Sequence, residues 1–150
     1  MIPSTTHHAL PTMSDAAIEQ VKAFELLVLD APQTEMVTKH VIHAGMYFRT
    51  IMLPAGHVMT GACIKIPTVV TVCGDAEVYT GDSVLSLQGY NVLPAQRGRK
   101  QAFYARTDTH ISMAFPTSAR TVFDAEAEFT DESESLMSRF GVNELTGDLL

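Results

Sequence analysis

The sequence predicts a mainly β fold, a single barrel or sandwich with one helix before it and one after. Three observations carry this. The chain has 150 residues, enough for one core and little more. Between about residues 36 and 118, short β-branched and aromatic runs alternate closely with turn residues, without the long helical spacers of βαβ units. The segments on either side change to a helical period.

Residues 1–13 hold Pro3, Pro11, His7 and His8 without periodicity and read as an arm, ordered only where another surface holds it. Ser14 or Asp15 caps a helix over 14–30, with Ala17, Val21, Phe24 and Val28 as its apolar stripe and Pro32 beyond its end. Strands are expected at Lys39–His43, Met46–Met52, Ala62–Ile66, Thr68–Cys73, Ala76–Tyr79, Ser83–Leu87, Tyr90–Leu93, Gln101–Ala105 and His110–Phe115. Turns are expected at Gly74-Asp75, Gly81-Asp82, Gly89, Gly98 and Thr107-Asp108. Residues 119–150 return to helix: Thr130 caps it, Asp131 and Glu132 lie in its first turn, Leu136, Met137 and Phe140 give its apolar face, and Gly141 stops it.

A hydrophobic content of 46% excludes a disordered chain. The net charge of -7 opposes nucleic acid as a general partner. No secretory signal and no membrane-length apolar run is evident, so the expectation is a soluble intracellular protein or part of an assembly made in the cytoplasm. Cys63 and Cys73 lie in apolar segments and read as buried thiols, not as a disulfide. No phosphate-binding loop, dinucleotide fingerprint, zinc-finger spacing or serine nucleophile elbow is present.

Several motifs occur in a fixed order: Gly45-Met-Tyr-Phe-Arg49, Leu53-Pro-Ala-Gly56, Thr60-Gly61, Lys65, Gly98-Arg-Lys100 and Tyr104-Ala-Arg-Thr-Asp-Thr109. In this, the stretch from Gly45 to Phe115 resembles a cupin barrel, most closely the small cupin-like proteins predicted in bacteriophage genomes. The resemblance implies a double-stranded β-helix (jelly-roll) barrel. It also implies where a metal would sit: a His-x-His pair six and eight residues after a glycine, a following Glu, and a late His. Counted from Gly56, the His-x-His positions hold Ala62 and Ile64, the Glu region holds Pro67 and Thr68, and the late position after Gly98 holds Gln101. Aliphatic side chains cannot ligate, so no metal residue, catalytic residue or cofactor is expected.

Other candidates are read against plainer roles. His57 reads as a surface or hydrogen-bonded loop histidine, with a displaced ligand as the alternative. His40 and His43, three apart on a strand, point to opposite faces. Cys63 reads as an inert thiol, although Lys65 two residues on could lower its pKa. Arg97, Arg99, Lys100 and Arg106 form a basic cluster, open both to a solvated role and to contact with an anion or with the acidic stretch Asp124–Glu134.

The expectation for function is a non-catalytic phage protein acting through protein contacts, for example a virion decoration or accessory protein that forms a homodimer or homotrimer. The alternative is a module binding a small molecule or nucleotide, for example a host-defence antagonist, with Arg99, Lys100, Tyr104 and His110 at the barrel mouth. A third reading is a metalloenzyme with a rearranged site that uses His57 or His110 and Cys63.

Overall fold

A computed structural model describes residues 8–147. Helix α1 spans Asp15–Val28, and the Ser14 side chain accepts a hydrogen bond from the Ala17 amide at its start. Eight strands follow: β1 (Thr38–His43), β2 (Met46–Leu53), β3 (Val58–Thr60), β4 (Thr68–Tyr79), β5 (Val84–Ala95), β6 (Ala102–Ala105), β7 (Thr109–Pro116) and, after helix α2 (Val122–Phe129), β8 (Asn143–Gly147). They form one curled sheet in the order β3-β6-β4-β7-β2-β1-β8, with β5 paired to β4. Every strand pair is antiparallel except β1 with β8. The mainly β barrel-type fold with flanking helices is the one expected from the sequence.

The β1–β2 hairpin closes on Ala44 and Gly45, both at positive φ (52° and 71°), the two-residue turn whose twist matches the flanking strands. The curl has its clearest cause at Gly74. There β4 changes neighbour: Val69–Cys73 pair with β7, whereas Ala76–Tyr79 pair with β6. Gly74 lies opposite Gly89 on β5 and has φ 149°, and a Cβ there would lie 2.4 Å from the Thr109 hydroxyl. A glycine is needed for this close approach. Two expected turns are thus corrected, because Gly74 and Gly89 lie inside long strands and the ladder runs on through both, with Thr109 closely approaching Gly74.

Three further expectations change. Residues 62–66 form no strand. Ile64 makes a single bridge to Arg99, and the Lys65 amide donates to the Phe129 carbonyl, so the backbone is divided between two partners and no ladder runs through it. The final helix lies earlier than expected. Thr121 caps α2 by accepting from the Asp124 amide, Thr130 stands at its C-terminal end, and two 3-10 turns (Ser133–Ser135 and Met137–Arg139) lead into β8. The arm is held by the chain's own barrel over its described part. Leu10 is fully buried, its amide donates to Pro94, its carbonyl accepts from Gln96, and the Met13 amide donates to Gly98. Residues 1–7 lie outside the described residues.

Alternation puts one face of each strand inside. Leu53, Val70, Val72, Val78, Leu93, Phe103 and Ile111 form the main apolar core. A second cluster joins Ile42, Tyr47, Ile64 and Phe115 to Ala125, Phe129 and Leu136, and seats α2 against the sheet. Met13, Ala17 and Val21 seat α1, while Phe24, the next residue of the expected stripe, stays 38% exposed.

Candidate functional site

Of the four positions at which the resemblance places metal ligands, Ile64, Thr68 and Gln101 are buried and Ala62 is half-buried. A different side chain ties two of them together. Arg99 lies two residues before Gln101, on the same inward face as Gln101 and Phe103, and is 1% exposed. Its Nη2 donates to Thr68 Oγ1 (2.8 Å), its Nε to Gln101 Oε1 (3.1 Å) and its Nη1 to the Gln96 carbonyl (2.6 Å). All three acceptors are neutral, and no carboxylate of the described residues forms an ion pair with this guanidinium. Burial depresses its pKa to about 10, which leaves it charged at neutral pH. The donor set does not fit a metal. Two positions are aliphatic, the other two already serve a fixed cation, and a second cation beside it would be repelled. Among the described residues no group of three or more His, Cys, Asp or Glu side chains is placed to hold a metal ion.

The four residues expected at a ligand mouth do not converge. Lys100 faces away from Arg99's side of the strand and is buried between Glu25 of α1 (3.2 Å) and Glu132 of the segment after α2 (3.3 Å). Tyr104 is 39% exposed. His110 is exposed too, and it is Thr109, Ile111 and Phe115 of β7 that face the core. Tyr104 and His110 thus stand on the exposed faces of their strands: one residue of register decides the face, and the inward face of β7 is the apolar one.

The basic cluster divides in the same way. Arg97 is exposed and its carbonyl accepts from Thr12, Arg99 and Lys100 are buried on opposite faces, and Arg106 pairs with Asp75 (2.8 Å) and Glu77 (2.7 Å) on β4. The acidic stretch does meet this region, through Glu132 and Lys100. Lys65 does not activate Cys63: its ammonium pairs with Asp131 (2.7 Å), and burial, with the nearby Glu132 charge, pushes the Cys63 thiol up. Both thiols are free, with no disulfide between them; Cys63 is half-buried and Cys73 exposed, so the expected burial is corrected, most plainly at Cys73. His57 is a hydrogen-bonded loop residue whose Nδ1 lies 3.1 Å from the Ala55 carbonyl.

The largest polar cluster was not expected from the sequence. Glu126 of α2, 1% exposed, accepts from Arg49 Nη1 (2.7 Å), from Arg139 Nε (2.8 Å) and from the Ser138 hydroxyl. Burial pushes its carboxyl up, but the hydrogen bonds from Ser138, Arg49 and Arg139 outweigh burial and hold its pKa below the ordinary value. Arg49 also donates to the Tyr47 oxygen (3.3 Å). The Tyr47 hydroxyl lies 2.7 Å from His40 Nδ1, and His40 Nε2 lies 2.7 Å from Asn143 Oδ1. Because the Asn143 amide nitrogen donates to the Ser138 and Gly141 carbonyls, its oxygen must accept from His40. Burial favours the neutral ring, and with Nε2 donating to Asn143 the neutral tautomer has Nδ1 accepting from the Tyr47 hydroxyl. Burial lowers the His40 pKa and raises that of Tyr47 to about 12. Tyr47 and His40 have no usable exposure, so the cluster holds β1, β2, α2 and β8 together and offers no reacting atom to solvent. The sequence signal was Arg49 two residues after Tyr47 on one strand face, opposite a glutamate set among the apolar positions of α2.

Scanned against models of protein families the sequence matches none, and no curated protein matches it. Solved structures do resemble it. A cupin-2 domain protein of Shewanella frigidimarina aligns at 13% identity over 63% of this chain and 89% of its own, with TM-score 0.45. A double-stranded β-helix domain protein of Klebsiella pneumoniae aligns at 17% identity over 59% and 78%, TM-score 0.47. Salicylate 1,2-dioxygenase of Pseudoaminobacter salicylatoxidans aligns at 12% identity over 82% of this chain and 38% of its own, TM-score 0.50. At such identities the likeness concerns the fold alone, a mainly β, curled half-barrel sheet flanked by two helices, with cupin-like neighbours. No helix among the described residues is long and apolar enough to cross a membrane.

Proposed function

We propose that this cupin-fold chain is non-catalytic and works through protein contacts, as an accessory or decoration protein of a phage particle. One observation carries the non-catalytic half: the Arg99 guanidinium is anchored on Thr68 and Gln101, at two of the positions where metal-dependent cupins place ligands. A reaction at that place would need an open coordination position and a strong donor set, and Ala62, Ile64, Thr68 and Gln101 supply neither. The resemblance of the Gly45–Phe115 segment to small phage-encoded chains supports the second half.

Two measurements test the reading. Untagged protein, incubated with iron(II), manganese(II) or zinc(II) and then dialysed, is expected to retain well under one ion per chain by mass spectrometry. A stoichiometric ion that survives chelation overturns the non-catalytic assignment. Purified particles of the source phage are expected to contain the chain at a fixed ratio to the capsid protein, and its absence there overturns the particle role.

A further inference from the structure

We infer that the open edge of β5, from Val84 to Val92, is a homodimer interface at which two copies pair their β5 strands antiparallel about a two-fold axis. The inference goes beyond the preceding reading, because it concerns contact between copies and holds whether or not the chain enters a particle.

Among the described residues β5 pairs with β4 along its length and with Leu10 at Ala95. Of the described residues, Leu10 covers the end of its other edge, by accepting from Gln96 and donating to Pro94. Since the Pro94 carbonyl points away from β4, alternation directs the N–H and C=O groups of Val92, Tyr90, Gln88, Ser86 and Val84 outward too. Among the described residues none of these groups has a backbone partner outside the sheet, and the Gln88 carbonyl alone has a side-chain one, the Asn91 amide at 3.1 Å. The same residues carry the outward side chains: Val84 is 57% exposed, Tyr90 69% and Val92 51%.

A long free edge is ordinarily blunted by lysine, other charges or proline. Over its twelve residues β5 has no charged side chain, and its one proline, Pro94, stands where Leu10 already covers the strand. The absence of charge points to a copy of the same chain as the occupant. Each molecule carries a net charge of -7, so two copies approach at least cost where neither presents a charge. About a two-fold, an antiparallel β5 pair sets each side chain opposite another from the same uncharged set, so no like charges oppose each other. Behind the edge, Val69 (47% exposed) and Cys73 of β4 continue the uncharged surface beside Pro94 and Tyr90, while Asp75 and Glu77, opposite Gln88 and Ser86, are paired with Arg106, which also donates to the Ser86 hydroxyl (3.2 Å).

The test is sedimentation equilibrium of the full chain over a wide concentration range, where a mass of twice 16.4 kDa that falls on dilution is expected. Ser86→Lys and Val92→Lys place a charge at exposed positions of the edge, and each is expected to weaken the dimer by at least about tenfold. Leu27→Lys on α1, where the side chain is 73% exposed, is the control and is expected to leave the dimer intact. Amide exchange of Gln88, Tyr90 and Val92 is expected to slow as protein concentration rises. A monomer at every concentration overturns the inference, and so does an oligomer that both β5 lysines leave unchanged, whatever the α1 variant does.

Discussion

Arg99 and Glu126 are each 1% exposed, yet their charges are met in opposite ways. Arg99 donates to a hydroxyl, an amide and a carbonyl, all neutral. Glu126 accepts from two guanidinium groups and a hydroxyl. For Arg99 burial lowers the pKa and nothing of opposite sign restores it; for Glu126 hydrogen bonds overcome burial. The difference separates two uses of a buried charge. Glu126 joins α2 to β2 and to the segment before β8, so removing it leaves two cations without their anion. Arg99 fills a space lined by residues of its own neighbourhood, and its removal also takes away the cost of burying a lone charge.

The largest effect is therefore expected at Glu126. Glu126→Gln keeps the shape but leaves Arg49 and Arg139 uncompensated, at a cost of about 3–5 kcal/mol. Urea denaturation measures it, and a loss below about 1 kcal/mol would break the comparison from this side.

Arg99→Met is expected to cost less, about 1–2 kcal/mol, because Thr68, Gln101 and the Gln96 carbonyl lose a donor while the desolvated cation disappears. A loss as large as that of Glu126→Gln would mean that an anion accompanies Arg99 in solution. A small-anion ligand would then be the better reading, and phosphate or nucleotide titration by calorimetry would follow.

Acid sharpens the same contrast through His40. Its folded pKa lies below the ordinary 6.5, so the stability that its neutral form contributes is complete above 6.5 and is lost as the pH falls through the folded value. Glu126, held below the ordinary 4.5, adds a second loss as the pH falls through its own folded value. Both act in one direction. The urea midpoint is expected to fall between about pH 7.5 and about pH 5, and His40→Gln to remove that first step. A midpoint that rises over this range would show that His40 is charged in the fold.

How much of this was legible in the sequence depends on whether a signal was local. Ser14 at the start of α1 and the β1 and β2 runs were readable, because capping and alternation act over a few residues. Gly74 and Gly89 misled for the same reason. Locally each is a turn signal, and only the approach of Thr109, thirty-five positions after Gly74, makes Gly74 a strand residue. Thr130 was read as a cap where Thr121, nine residues earlier, does the capping, since both precede acidic residues. The missing metal ligands were legible position by position. What replaces them is not: the sequence places Arg99 in a basic cluster open to solvent or to an anion, and its burial follows from a strand face that Gln101 and Phe103 share. The Glu126 cluster joins residues 40 to 143, a separation at which no single-sequence pattern operates.

The smallest effect separates exposed from buried pairing within the expected basic cluster. Arg106 makes two short ion pairs, to Asp75 and Glu77, with all three side chains roughly a third exposed. Lys100 reaches Glu25 and Glu132 from a site 1% exposed. Water screens the Arg106 pairs, so Arg106→Gln is expected to cost at most about 1 kcal/mol and to become neutral at high salt. Lys100→Gln, which leaves two carboxylates facing a buried neutral group, is expected to cost more and to resist salt. Thermal denaturation of both variants at about 0.05 M and about 1 M sodium chloride decides between them. If the Arg106 variant is the more damaged, geometry rather than burial sets the strength of these pairs, and the ranking from Glu126 down to Arg106 would have to be rebuilt on distances.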